Sequence, residues 1–328
     1  MFEQIRYELN GVVIDFNGVV IDSCLKPGIT SSIKAYLSLN DNESRSLQMS
    51  GWAPSLDNIP TFSTDKKYFS AAIPLKFLLG FAEDYNKIII NASQELILVR
   101  SKSDDNSYKS DGTKKATFEI EKIEWRVPHI SVNDESRMKL LEILRNDKPI
   151  YIPFRKWELY ELPALRTTKD DIWSIKSSTN LEKPRYVIVA FQNNKKDNYK
   201  ADSSVFDNSL ITNVRVYLNS DSFPYNNMNL EISKDRYVTA YQMYVAFQHS
   251  YYNRTPQPLM DYVQFKDNAL YVIDCSKQND AVKTSTVDLK IEMESEIPFK
   301  AGTVAYCLIL HDTIVEYTPL SGTVKKII

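Results

Sequence analysis

The chain has 328 residues, of which 43% are hydrophobic and 25% are charged. This composition is typical of a folded globular protein and excludes intrinsic disorder for most of the chain. The formal charge is −2, so the chain has no electrostatic footprint for sequence-independent binding to nucleic acid. A chain of this length favours two domains of roughly 150 residues each.

The cysteines predict a reducing compartment. Cys24, Cys275 and Cys307 are odd in number and far apart in sequence, which is not the pattern of a disulfide framework. The polar residues 1–10 lack the apolar core of a signal peptide, so we expect the protein not to be secreted. No apolar run approaches the ~20 residues that a membrane-spanning helix needs.

The first half of the chain is predicted to consist mainly of short strands. In Gly11–Asp22 two β-branched runs flank Asn17-Gly18, which predicts a hairpin. Residues 25–66 are polar and contain prolines, so we expect loops with short strands there, followed by a short helix over 74–85. Further strands of this half are predicted at 87–91, 95–100, 117–127, 150–154 and 157–162.

The predicted strand Thr117–Val127 changes phase along its length. Phe118 and Ile120 alternate with glutamates, and the later apolar residues then occupy the other parity. A bulge near Lys122 would keep all of the apolar residues on one face of a sheet.

A helix and a linker are predicted to close the first half. Asn133 or Asp134 is placed to cap a helix over 134–145, whose apolar residues line one stripe. Few apolar runs occur in 171–184, so this segment is the predicted linker. The predicted domains are therefore 1–170, with the inserted helix, and 185–328.

The second half repeats the order of elements, although not the residues. A helix is predicted near 234–251, with Ser233 as its cap and Pro256 beyond its end. Strands are predicted at 185–192, 213–219, 229–232, 262–265, 269–275, 287–294, 304–310 and 313–317. Only the helix at 134–145 has no counterpart. About eight short strands in each half favour an all-β, mainly antiparallel sandwich or jelly roll in both.

Two strands are predicted to be covered on both faces. Thr286–Glu294 alternates apolar and charged residues and should have one wet face, whereas Tyr186–Phe191 and Val304–Leu310 are apolar at both parities. Their second face needs a further layer, either the companion domain or another subunit. In the alternative interpretation, loops or the helices near 134 and 234 cover these faces within the chain.

The histidines do not form a predicted reaction or metal centre. His311 is followed by Asp312 between two predicted strands, which favours a hairpin turn. Cys307 would lie roughly 13 Å away along a strand, too far for a shared zinc ion. His129 follows a proline at a strand end, and His249 lies near the end of the second helix, where it can interact with the negative end of the helix dipole.

Other residue patterns also have structural interpretations. The sequence contains neither a Gly-x-Ser-x-Gly elbow nor a Gly-rich phosphate loop. The glutamate pairs at 119 and 121 and at 292 and 294 are predicted to face water, and the lysines at 195, 196 and 200 to lie on a solvated loop. Aromatic residues at 237, 241, 244 and 247 form a helical stripe that is predicted to be core, or in part interface. We therefore predict no enzyme and no catalytic, cofactor-binding or metal-binding residue.

Several motifs resemble those of a viral protein family. The segments are Glu124-Trp-Arg-Val-Pro-His-Ile130, Trp157-Glu-Leu-Tyr-Glu161, Lys183-Pro-Arg-Tyr-Val-Ile-Val-Ala-Phe-Gln192, Thr212-Asn-Val-Arg-Val-Tyr-Leu-Asn219, Val272-Ile-Asp-Cys-Ser-Lys-Gln278 and Tyr306-Cys-Leu-Ile-Leu-His-Asp312. They are similar to major capsid proteins encoded by Polinton or adintovirus-like elements of invertebrate genomes. The resemblance covers roughly residues 116–328.

This resemblance implies a double jelly roll, with two eight-stranded jelly rolls side by side. It also implies a homotrimer that forms pseudo-hexagonal capsomers of an icosahedral shell, with minor capsid or penton proteins as further partners. The protein would then be part of the virion, assembled in the host cytoplasm or nucleus. The alternatives are a jelly-roll module that binds carbohydrate or protein, and a domesticated cellular homologue that no longer assembles.

Overall fold

The structure is a computed structural model that describes residues 1–10, 20–52, 68–110, 115–175, 183–278 and 287–327. These ranges contain twelve strands, all paired in antiparallel fashion. The strands are β1 (Phe2–Leu9), β2 (Val20–Leu25), β3 (Gln94–Arg100), β4 (Ile150–Leu162), β5 (Asp170–Ile175), β6 (Pro184–Asn193), β7 (Ile211–Leu218), β8 (Asp221–Phe223), β9 (Tyr271–Asp274), β10 (Leu289–Ser295), β11 (Thr303–Thr318) and β12 (Thr323–Lys326).

Six α-helices accompany the strands in the same ranges. They are α1 (Pro27–Ser38), α2 (Asp41–Ser46), α3 (Gly80–Asp84), α4 (Asp134–Arg145), α5 (Val238–Tyr252) and α6 (Tyr262–Asp267). The strands form three sheets, with the orders β2-β1-β3, β5-β10-β7-β8 and β12-β11-β6-β9, and β4 is added to the third sheet through β11. The predicted fold class, mainly antiparallel all-β with few helices, is confirmed.

Two long strands connect two separate hydrophobic cores. The smaller core lies against the sheet of β1, β2 and β3, and the larger core contains the inward residues of the other two sheets together with α1 and α5. β4 contributes Ile152 to the smaller core and Trp157 to the larger one, and β11 contributes Val315 and Leu308 in the same way. Each long strand therefore belongs to both cores.

The sequence predicts a break in each of these long strands, and that prediction is wrong. β11 runs without interruption through His311 and Asp312, which are paired with Lys156 and Arg155 of β4. These four polar residues lie where the two strands leave one core and enter the other. A polar pair between two apolar runs resembles a turn in the sequence, but here it marks the crossing between the cores.

The doubly apolar strands are covered within the chain. Residues 186–191 of β6 and 304–310 of β11 are all buried. The ring of Tyr186 lies 5.0 Å from that of Phe247 and 5.6 Å from that of Tyr251, both on α5. Helix α5 therefore supplies a further layer over Tyr186 of β6, in agreement with the alternative interpretation. The helix at 134–145 does not contribute, because none of its residues is buried.

Several predicted elements have other conformations. Thr117–Val127 and 87–91 contain no strand, although the structure describes both segments. The segment predicted as a strand at 262–265 is helix α6, 229–232 is not a strand, and the predicted helix over 74–85 is a 3-10 turn at Leu75–Phe77 followed by α3. Helix α1 lies in the stretch predicted to be loops and short strands.

The boundaries of other elements agree more closely. The helix at 134–145 has the predicted bounds, and the second helix begins at Val238, four residues after the predicted start. The predicted turn at Asn17-Gly18 lies outside the described residues. Strand β5 (Asp170–Ile175) occupies the beginning of the predicted linker, so that part of the linker prediction is wrong, and 176–182 are not described. The division into two domains stays a prediction.

Candidate functional site

Charged side chains are concentrated where β4 and β11 pass between the cores. We call this group the crossing network, and its members are Asp22, Lys34, Glu83, Asp84, Arg155, Lys156, Glu158 and His311. Its best-paired member is Arg155. The guanidinium makes a bidentate pair with Asp84, with Nη2–Oδ1 and Nε–Oδ2 distances of 2.5 and 2.9 Å, and it lies 4.5 Å from the ring centre of Tyr251. Bidentate geometry and the aromatic face both hold the arginine in one position.

Lys34 brings helix α1 into the crossing network. Its side chain is only 2% exposed, and Nζ lies 2.7 Å from Glu83 Oε2. The same ammonium group donates a hydrogen bond to the carbonyl of Lys76 at 2.6 Å and lies 5.0 Å from the ring centre of Trp157. A buried ammonium group with a carboxylate, a carbonyl and an aromatic face around it has its hydrogen-bonding capacity used inside the protein.

Asp22 is the most deeply buried acid of this region. Its carboxylate accepts hydrogen bonds from the backbone N–H groups of Phe81 and Ser23, at 2.9 and 2.8 Å. Burial raises the pKa of Asp22 above its ordinary value, and these hydrogen bonds and the nearby charges of Lys156 and Lys34 oppose the rise. The residue fixes the position of α3 against β2, which is a structural role.

His311 lies in the middle of β11, not in the predicted turn. The imidazole is buried, and its Nε2 lies 3.4 Å from Oε2 of Glu158 on the neighbouring strand. Burial by itself would raise the pKa of Glu158, but the hydrogen bond from His311 and the charge of Lys156 hold it below its ordinary value. The pair therefore ties β4 to β11 at the crossing.

The other two histidines lie elsewhere. His129 is exposed, and His249 lies exposed in the last turn of α5, where its predicted interaction with the helix dipole is geometrically allowed. The structure does not bring the three histidines together. Within the described ranges, no group of three or more His, Cys, Asp or Glu side chains is placed to hold a metal ion.

The cysteines are unsuited to nucleophilic chemistry. Cys24, Cys275 and Cys307 are all buried free thiols. Burial raises the pKa of Cys24 to about 12, and it raises the pKa of the other two thiols as well. Since the thiolate is the reactive form, these groups stay protonated and inert near neutral pH.

Two small clefts lie on the described surface, and both have polar and apolar residues in their walls. The larger one has a volume of about 400 Å³ and lies beside the loop between β8 and α5, with Asn213, Asn227 and Asn229 among its walls. Its two acids are Glu231, which is paired with Arg236, and Glu294. The second cleft has a volume of about 260 Å³ and is formed around Asn208 and Phe299. No histidine or cysteine is among the described residues that line either cleft.

The remaining predicted residues take structural positions. Lys195 is paired with Asp207 and Lys196 with Glu161, so these two lysines do not form a free basic patch. Glu292 and Glu294 face away from the core, as predicted, whereas Glu119 and Glu121 are exposed on a segment that is not a strand. Tyr237, Tyr244 and Phe247 of the aromatic stripe are buried in the larger core, and Tyr241 is half-buried.

The segment 116–145 is exposed or half-buried along its whole length, and we call it the exposed arm. None of its residues is buried. Its apolar side chains Ile123, Trp125 and Val127 share one parity, and each has more than a third of its surface exposed. Helix α4 completes the arm, and its Met138 is 67% exposed.

Among the described residues, the contacts that attach the exposed arm include those of Ala116, whose N–H donates to the Tyr108 hydroxyl, and of Phe118, whose ring packs edge-on against Phe69 and Tyr108. The N–H of Phe118 donates to Asp104, and its carbonyl accepts from Arg100. The ring of Trp125 lies 6.3 Å from that of Tyr7. From 119 to 132, no backbone N–H or C=O group is hydrogen-bonded to another residue that the structure describes. The sequence offered one signal for this feature, since the helix at 134–145 has no counterpart in the second half.

None of the described helices has the length and apolar character needed to cross a membrane. Antiparallel sheets that pack around two hydrophobic cores are typical of β-sandwich proteins. The chain belongs to the family of double jelly-roll-like domains, because the model of this family matches residues 1–315.

Solved structures of low sequence identity have a similar fold. The VP54 protein of PBCV-1, fitted into a reconstruction of the virophage Sputnik, is 12% identical, with a TM-score of 0.50 over 100% of this chain and 83% of that one. The PBCV-1 virus capsid gives 8% identity and the same TM-score and coverage. The Sputnik virophage structure gives 9% identity and a TM-score of 0.49, over 99% of this chain and 74% of that one. No curated protein sequence matches the chain.

Proposed function

We propose that this chain is a major capsid protein whose copies associate into trimers that tile an icosahedral shell. The observation that carries the proposal is the double jelly-roll-like match over residues 1–315. The similarity of fold to the PBCV-1 virus capsid over the whole chain supports it. The motifs of the sequence favour a Polinton or adintovirus-like lineage within this class.

The internal chemistry of the chain supports a structural role. The charges of the crossing network are paired with one another, and the three thiols are buried and protonated. In this proposal the protein is not an enzyme, and its function depends on its outer surfaces. The partners are other copies of the chain, together with minor capsid or penton proteins at the vertices. The protein would be part of the virion after assembly in the host cytoplasm or nucleus.

Native mass spectrometry of the purified chain tests the proposal directly. We expect a species of three times the 37.8 kDa chain mass, and hexagonal particles or shells in negative-stain microscopy. A stable monomer at high protein concentration would contradict a capsid role. A monomer that binds a glycan saturably would favour the binding-module alternative instead.

A further inference from the structure

The exposed arm has the composition of a strand but lacks the pairing of one. Thr117–Val127 contains the β-branched and aromatic residues that are enriched in strands. Nevertheless, the backbone groups of 119–132 are not hydrogen-bonded to any other described residue. A segment of this composition whose backbone groups are not paired can add as a strand to the edge of another sheet.

Helix α4 has an apolar stripe that no described residue of the chain buries. It has twelve residues, a length at which an isolated helix is marginal in water. Met138 and Leu141 are exposed on the same stripe, separated by three positions. Helices of this kind are stabilised mainly by packing an amphipathic face against a partner.

The size of the exposed arm fits a protein interface. The arm has 30 residues, from 116 to 145, and a standard interface takes about 20 to 30 residues from each partner. Alternating apolar residues in its extended part and a stripe on its helix would supply the apolar centre of such a contact, with charged residues around it.

The charges of the exposed arm favour a partner that is close to neutral. The arm carries six acidic and five basic residues, mixed along its length, and the whole chain has a formal charge of −2. A polyanion or an acidic membrane surface would require an excess of lysine and arginine. A second copy of this chain has the near-neutral charge that such a partner needs. It also offers edge strands such as β3, which among the described residues is paired with β1 alone.

We propose that the exposed arm lies across a second copy of this chain, with 119–132 hydrogen-bonded to a sheet edge of that copy and α4 packed on it through Met138 and Leu141. This inference rests on the proposed function, because it names the segment through which the copies associate. The arm would then be protected only in the assembled protein.

Hydrogen exchange of the full chain measures this protection. In the assembled protein we expect the amides of 119–132 to exchange at least about tenfold more slowly than in the dissociated monomer at high dilution. The amides of β6, which are paired within each chain, should remain protected in both states and serve as the internal reference. Equal exchange of the arm in the two states would overturn the inference.

Substitutions in the exposed arm provide an independent measurement. Ile123→Lys and Met138→Lys should each raise the concentration at which the assembly dissociates by about tenfold or more, since each places a charge in the contact. Val263→Lys is the matched control, because Val263 is 71% exposed on α6 and lies outside the arm. Circular dichroism of the three variants checks that the fold is kept.

The outcomes separate the two proposals. A wild-type chain that stays monomeric at every concentration overturns both the capsid role and the contact through the arm. An assembly in which the arm amides are unprotected, or in which Ile123→Lys and Met138→Lys both assemble like wild type, overturns only the contact through the arm.

Discussion

Arg155 and Asp84 show how a single charge is accommodated at the crossing between the cores. Both side chains are largely buried, at 25% and 16% exposure, and they form a bidentate pair. Removal of one partner leaves the other charge without compensation in a site with little access to water. Loss of one partner is therefore expected to cost more stability than the intact pair contributes.

Arg155→Met should lower the free energy of unfolding by about 3 kcal/mol, because it removes the ion-pair partner of the Asp84 carboxylate and leaves only the backbone N–H of residue 155 as a donor. Urea denaturation at pH 7 measures the loss. Arg236→Met is the matched control, since Arg236 is paired with Glu231 on the surface and such a pair contributes about 0–1 kcal/mol. Equal losses in the two variants would show that burial does not govern the strength of the Arg155 pair.

Glu158 gives the crossing a dependence on pH. A carboxyl group whose pKa is lower in the folded state stabilises the fold fully above its ordinary pKa, and the stabilisation is lost as the pH falls through the lowered value. For Glu158 the ordinary value is 4.5, so the loss begins below this pH. At neutral pH, Glu158→Gln should therefore reduce the stability.

We expect the loss in Glu158→Gln to be about 2 kcal/mol at pH 7, the scale of a hydrogen bond to a charged group. The difference from wild type should shrink as the pH is lowered below 4.5, because wild type then loses the same ionised group. Urea midpoints between pH 3 and 7 provide the measurement. Glu119→Gln, at an exposed position of the arm, should match wild type throughout this range.

At the scale of elements, helices α4 and α5 differ in how much of their surface their own chain buries. Helix α5 packs its aromatic residues into the larger core, and Phe247 is only 1% exposed. Helix α4 buries no residue at all. Helix α5 is therefore stabilised by packing within its own chain, whereas α4 is stabilised by its N-terminal cap and, in our proposal, by a second copy that covers its apolar stripe.

Phe247→Ala should lower the free energy of unfolding of the monomer by about 3–5 kcal/mol, since a large aromatic side chain leaves the core. Met138→Ala should change it by less than about 0.5 kcal/mol under the same conditions. Urea denaturation at a concentration where the chain is monomeric measures both. A loss of several kcal/mol in Met138→Ala would show that α4 packs within its own chain.

Elements with local signals could be predicted from the sequence. Asn133 caps α4 and accepts a hydrogen bond from the N–H of Ser136, so both ends of this helix were predicted. Helix α6 also has a local signal, a capping box between Asp261 and Gln264, but the short, mostly apolar segment Tyr262–Phe265 fits a strand as well. A run of that length does not distinguish a strand from a helix, and the capping box would have decided between them.

Features that depend on distant residues could not be predicted. The continuity of β11 through His311 is established by its pairing with β4, which lies about 150 positions away in sequence. The strand pattern of Thr117–Val127 is real, but a pattern does not reveal whether a partner strand is available. The absence of a recognisable catalytic motif was apparent from the sequence, whereas the exposure of the arm required the fold.

At the scale of the whole molecule, β4 and β11 connect the two cores, because each strand contributes residues to both. They pair over thirteen positions, from Ala305 with Leu162 to Tyr317 with Ile150. Unfolding of the smaller core would remove its contacts from one end of both strands. A ladder of this length transmits that loss to the larger core, because the same strands carry residues of both.

We therefore expect the two cores to unfold as one cooperative unit. Ile152→Ala, in the smaller core, should cost about 2–5 kcal/mol, and Ile188→Ala, in the larger core, should cost a similar amount. The informative measurement is native-state hydrogen exchange of the β6 amides, which belong to the larger core alone. If these amides exchange only through global unfolding, Ile152→Ala must lower their protection by the full loss in stability, although the substitution is made in the other core. Unchanged protection of β6, with faster exchange confined to β1 and β3, would show that the long strands separate two units that open independently.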